Sequence, residues 1–151
     1  MQQKLIRQLL LHFIHIKFIA MKRIILSVVA GFLFTAIVTT IVDHIFHVTK
    51  VYPPYGEPFE KTSLLIMAFT YRALFAITGA YITAQTAKDK ARKAVFILGT
   101  IGTITWLAGL VQFWDLAPAW YNIGGLLLAI PYALVGLNIY SRNVYKSAAM
   151  V

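Results

Sequence analysis

Arg72 lies about nine residues, or roughly 13 Å of helix at 1.5 Å per residue, inside the apolar run Ser63–Thr86. A guanidinium keeps its charge in proteins, and at a bilayer centre it costs at least ~2.5–3.5 kcal/mol. It therefore needs a carboxylate or carbonyl partner within the protein. Two roles follow from that need. One is a site for an anion, a headgroup or a proton path. The other is an ion pair that holds helices in register. The residue type and its depth leave both open.

The second group is Asp43-His44-Ile45-Phe46-His47. Asp43 and His47 are spaced i, i+4, and His44 and His47 i, i+3, so each pair shares a helix face. A carboxylate and two imidazoles can supply three ligands to a divalent metal, with Glu57 or Glu60 as a fourth. The same trio can exchange protons near neutral pH. It can also simply end a helix where the helix meets water. Asp43 is the expected partner of Arg72, because their depths differ by about one helical turn. Asp115 is the next candidate. Tyr71, Gln112 and Asn122, with Thr39 and Thr40, add polar groups at similar depth. They predict a polar pocket in the outer half of the molecule or, alternatively, interhelical hydrogen bonds worth about 0.6 kcal/mol each.

The elements that position these residues follow from composition. The chain has 151 residues, of which 60% are hydrophobic and 13% charged, and a mean hydropathy of +0.74. A soluble globule of this size cannot hide that much apolar surface. Soluble enzyme domains, nucleic-acid modules and disordered chains are thereby excluded. There is no cysteine, which removes disulfides, thiolate metal sites and iron–sulfur clusters. The chain has no phosphate loop, zinc-protease helix or nucleophile elbow, and its histidines are not spread over facing spans as haem ligation requires. No cofactor and no catalytic residue are assigned.

Four runs are long enough to cross a bilayer core as helices: Ile24–Val42, Ser63–Thr86, Ala94–Trp114 and Ala117–Tyr140. The expected fold is all-α, an integral membrane bundle of four transmembrane helices over residues 22–141, with a tail at 142–151. In residues 1–21, Lys4, Gln8, His12 and His15 mark one helix face, while Leu5, Leu9, Phe13 and Ile16 mark another. This reads as a basic amphipathic helix lying in the interface. Met21-Lys22-Arg23 before an apolar run reads equally well as the true start of translation.

The formal charge of +9 follows the spans. Lys4, Arg7, Lys17, Lys22, Arg23, Lys88, Lys90, Arg92, Lys93, Arg142 and Lys146 fall on one side; only Lys50 and Lys61 fall on the other. The positive-inside rule then predicts both termini in the cytoplasm of a bacterial-type inner membrane. The basic excess records orientation, and no nucleic-acid partner is expected. Tyr52, Tyr55, Trp114, Trp120 and Tyr121 cluster at the outer span ends, as an interfacial aromatic belt does. The proline-rich segment Val51–Pro58 is expected to form a turn on the outer surface.

Small residues at i, i+4 let helices approach: Gly31 and Thr35, Ala76 and Ala80, Gly125 and Ala129. Pro131 falls inside the fourth run and is expected to bend it. The first and third runs both end in Asp and lead into proline–aromatic turns, a faint parallel repeat of the kind some transporters have. In length and layout the chain is similar to small multidrug-resistance exporters and to membrane-bound glutathione transferases. Ile24–Val42, however, lacks the acidic residue of the exporters' first span, and only Arg72 echoes the in-helix polar set of the transferases. The expected function is a binding or transport bundle whose pocket centres on Arg72 and Asp43. The alternatives are an accessory subunit in which the two residues only pair and, more weakly, a metal-assisted enzyme using Asp43, His44, His47 and Glu57. Expected partners are the lipid bilayer, a small ligand or ion, and a second copy or another membrane protein.

Overall fold

The computed structural model describes residues 2–59 and 61–149, with the backbone alone at 2–6, 8–16 and 148. Of the described residues, 88% are helical. Its elements are α1 (Gln2–Val48), α2 (Thr62–Ala87), α3 (Ala91–Gln112) and α4 (Ala119–Ala148). Short 3-10 turns at Lys88–Lys90 and Trp114–Leu116 join α2 to α3 and α3 to α4. Among the described residues, three helical stretches are long and apolar enough to cross a membrane: Lys17–Val48, Thr62–Gln112 and Ala119–Ser147. The middle stretch contains both α2 and α3, divided where Lys88 adopts φ 53°.

The element ends differ from the sequence expectation for local reasons. The third run stops as an α-helix at Gln112, because Trp114–Leu116 tightens into a 3-10 turn. The fourth opens at Ala119 after Pro118, whose φ of −65° and missing N–H suit a helix start. Pro131 lies within α4, which continues on both sides of it. The backbone of α1 is helical without interruption from Gln2. The amphipathic faces expected around Lys4, Gln8, His12 and His15 fall outside the described side chains.

Two buried clusters define the ends of the bundle. One joins Val28 of α1 to Ala80, Ala84 and Ala87 of α2, Ala91, Ala94, Val95 and Leu98 of α3, and Ala133 of α4. The other joins Tyr52, Leu65, Ala68 and Tyr121, with Phe46, Phe69 and Trp106 packed against them. The first cluster takes the end of α2 and the start of α3; the second takes the start of α2 and the later part of α3. Consecutive helices therefore run in opposite directions. The first cluster is largely alanine, so backbones there come close and dispersion between them is strong. At this same end Asp89 bonds Arg23 at 3.3 Å and Lys90 at 3.1 Å. The Lys90 hydrogen bond, helped by Arg23, holds the Asp89 carboxyl below its ordinary range. These pairs are exposed and add little stability.

Helices α1 and α2 cross at close range. A Cβ on Gly31 would strike Thr83 Oγ1 and the Gly79 carbonyl oxygen, and one on Gly79 would strike Thr35 Oγ1. The threonines also stitch the helices together. Thr35 donates to Phe75 O at 3.3 Å, and Thr83 donates to Ser27 O at 3.1 Å. Gly31 and Thr35 were legible as a small pair; their counterparts Gly79 and Thr83 were not. Gly136 repeats the device between α4 and α2, where a Cβ would meet the Ile77 carbonyl oxygen. By contrast, a Cβ on Gly102 would meet nothing within 4 Å.

Gly31→Leu and Gly79→Leu should each force α1 off α2. The expected cost is at least the ~1–3 kcal/mol of an overpacked core, read as a lower melting temperature in detergent. Gly102→Leu should melt close to the parent chain. Three similar melting temperatures would show that the crossing is not tight.

Candidate functional site

A cavity of about 650 Å³ lies among the helices, toward the end that carries the 49–61 loop. Most of its wall is apolar. Thr35, Thr39 and Asp43 of α1 face it, as do Phe69 and Arg72 of α2, Gly102 and Trp106 of α3, and Tyr121 and Tyr132 of α4. Arg72 and Asp43 are the ion pair on this wall, with Nη2 2.6 Å from Oδ2. The Arg72 side chain is 31% exposed and that of Asp43 24%, and both line the cavity.

The pair is the centre of a chain of hydrogen bonds. Tyr71 Oη donates to Asp43 Oδ1, so both carboxylate oxygens are occupied. Tyr52 Oη donates to Tyr71 Oη at 3.0 Å. Burial pushes the Tyr52 hydroxyl above its ordinary range. On the other side, Arg72 Nη1 donates to Tyr121 Oη at 3.0 Å. The network thus ties α1, α2, α4 and the 49–61 loop together. Arg72 Nε is buried and has no hydrogen-bond partner among the described residues, which costs roughly 1–3 kcal/mol.

Tyr52 and Tyr121 correct the aromatic belt. They are only 3% and 7% exposed, and their hydroxyls complete the polar network instead of facing an interface. Tyr55, Trp114 and Trp120 remain exposed. The inward pair has a physical cause, since a tyrosine can fill apolar space with its ring and still satisfy a buried charge with its hydroxyl.

The other candidate residues separate. Asp115 is exposed in the Trp114–Leu116 turn and makes no ion pair among the described residues. Gln112 is exposed at the end of α3 and does not line the cavity. Asn122 is buried on the cavity wall, but its Nδ2 donates to Trp114 O at 3.2 Å and Ala117 O at 3.0 Å. It secures the turn that starts α4, and its own carbonyl accepts Trp106 Nε1 at 2.8 Å. The Trp106 ring occupies the place where a Gly125 Cβ would lie.

His44 and His47 anchor the loop. His44 Nδ1 lies 3.2 Å from Tyr55 Oη. His47 Nδ1 lies 2.7 Å from Pro53 O, and its ring stacks on Tyr55 at 3.9 Å. Phe59 N donates to Leu116 O at 2.9 Å and fixes the far end of the loop. Tyr55, Gly56 and the exposed Glu57 line the cavity mouth, so the loop lies over the cavity as well as on the surface. Gly56 sits at φ 88°, which a side chain would strain. Glu60 lies outside the described residues. Among the described residues, no three of His, Asp and Glu converge as a metal site requires. Asp43 is committed to Arg72 and Tyr71, and both imidazoles hold the loop, with His47 also on the cavity lining.

Compared with protein-family models, curated proteins and solved structures, the chain has no match.

Arg72→Leu should destabilise the protein by about 3 kcal/mol, the lower part of the range for breaking a buried pair, because the side chains are 31% and 24% exposed. Asp43→Leu should cost a similar amount by stranding the guanidinium. The double variant Arg72→Leu/Asp43→Leu should cost clearly less than the sum, since neither charge is then left alone. Denaturation of the four chains in one detergent measures this, and strict additivity would mean that the pair is not coupled.

Proposed function

We propose that this chain is a small membrane-embedded binding bundle that takes up an apolar or amphipathic molecule, with transport as the natural extension. In this reading the four helices cross the membrane four times. Both termini and the 88–93 segment are cytoplasmic, in a bacterial-type inner membrane, and the cavity opens to the outside beneath the 49–61 loop. The distribution of Lys and Arg supports the orientation. The observation that carries the binding role is the cavity with the Arg72–Asp43 pair on its wall. Its size falls within the ~300–1,000 Å³ of small-molecule sites, and a few polar groups in an otherwise apolar wall are what such sites use to orient a ligand. Gly102 and Gly109 support the same role, because a Cβ on either would meet open space.

An accessory, structural role is the second reading. It is favoured by the engagement of both Asp43 oxygens and both Arg72 Nη atoms within the protein. In that case filling the cavity should leave activity untouched. No catalytic step is proposed for either reading.

Two measurements test the proposal. A reporter fused at residue 56 should be extracytoplasmic and one at residue 90 cytoplasmic, and the reverse result would overturn the topology. For binding, Trp114→Phe/Trp120→Phe leaves Trp106 as the sole tryptophan, on the cavity wall. A brominated aromatic probe should quench it saturably, and Gly102→Phe should abolish the saturable part by filling the cavity. Quenching that is linear in both chains would favour the structural role.

A further inference from the structure

We propose that the ligand of this cavity is a lipophilic cation, an inference that rests on the binding role above. The charge on the wall decides its sign. Arg72 and Asp43 neutralise each other at 2.6 Å; among the described residues no other Lys or Arg lines the cavity, and the lining imidazole of His47 is held by Pro53 O and stacked on Tyr55. Glu57 stands at the mouth and makes no ion pair among the described residues. The lining thus keeps one carboxylate uncompensated. An anionic ligand would meet an Arg72 whose charge Asp43 already neutralises, and would pass Glu57 on the way. For a cation neither is a drawback.

The wall chemistry points the same way. Tyr52, Phe59, Phe69, Trp106, Tyr121 and Tyr132 line one continuous space. The faces of aromatic rings carry negative electrostatic potential, and they hold a desolvated cation where aliphatic side chains would not. The route of entry selects for lipophilicity. Thr40 of α1 and Thr105 of α3 line the cavity and are also exposed, as are Tyr55 and Glu57 of the loop. The rim therefore extends from the loop down the cleft between α1 and α3, where a molecule dissolved in the bilayer can enter. Lower down, Val28 of α1 and Val95 and Leu98 of α3 close that cleft in the alanine-rich cluster.

The test uses three probes of similar size: tetraphenylphosphonium, tetraphenylborate and neutral triphenylphosphine oxide. Each is titrated into the single-tryptophan chain in detergent, with the Gly102→Phe version as the reference for partition into micelles. The expected result is saturable binding of the phosphonium about tenfold tighter than that of the borate or the oxide, a size typical of one partly screened charge interaction. Glu57→Gln, an exposed position that should not disturb folding, should erase most of this preference. Equal or tighter binding of the borate or the oxide would overturn the cation inference and leave the binding role standing. A cation preference unchanged by Glu57→Gln would overturn the assignment of its origin to Glu57. Failure of all three probes to distinguish the open chain from its Gly102→Phe version would overturn both the inference and the binding role beneath it.

Discussion

The ion pair between Arg72 and Asp43 is the constraint around which the loop end of this bundle is arranged. A guanidinium within an apolar run cannot be left alone. Its partner comes from α1, and a hydroxyl from α4 occupies its other side. Once α1, α2 and α4 are held to one point, the tyrosines nearby have little choice of direction. Tyr71 must satisfy the second carboxylate oxygen, and Tyr52 must satisfy Tyr71. The chain leaving α1 is thereby drawn back over the bundle, and the 49–61 loop becomes a cover. One buried charge thus sets helix register, loop path and the polar spot of the cavity together.

Glycine does opposite work at different positions. At Gly31, Gly79 and Gly136 its missing side chain lets another helix in, so close that any Cβ would collide. At Gly102 and Gly109 the missing side chain leaves space that nothing fills. The same residue type therefore admits a neighbour at some positions, as at Gly125 where Trp106 moves in, and leaves open space at others. The alanine-rich cluster closes one end of the bundle, where backbones are near and side chains short. The aromatic cluster does the reverse, since large rings keep the helices apart and line what remains. The faint repeat of Asp followed by a proline–aromatic turn does not extend to the chemistry, because Asp43 holds an arginine and Asp115 faces outward.

The residue types by themselves determined much of this. Long apolar runs demand helices, because only a helix satisfies its own backbone groups in an apolar medium. The run lengths, the basic clusters between them and the need of Arg72 for a carboxylate are all properties of single residues summed along the chain. What they could not settle was which neighbour answers that need. Depth favoured Asp43 over Asp115 without showing contact, and Gln112 and Asn122 were equally plausible pocket residues. The inward turn of Tyr52 and Tyr121, the Gly79 counterpart of Gly31 and the cavity itself depend on how helices cross. A crossing is set by pairs of residues far apart in the chain, such as Gly31 with Thr83. Hydropathy scores each residue against its medium and is blind to such pairs, so only the tertiary structure decided where the helices touch and where they leave room.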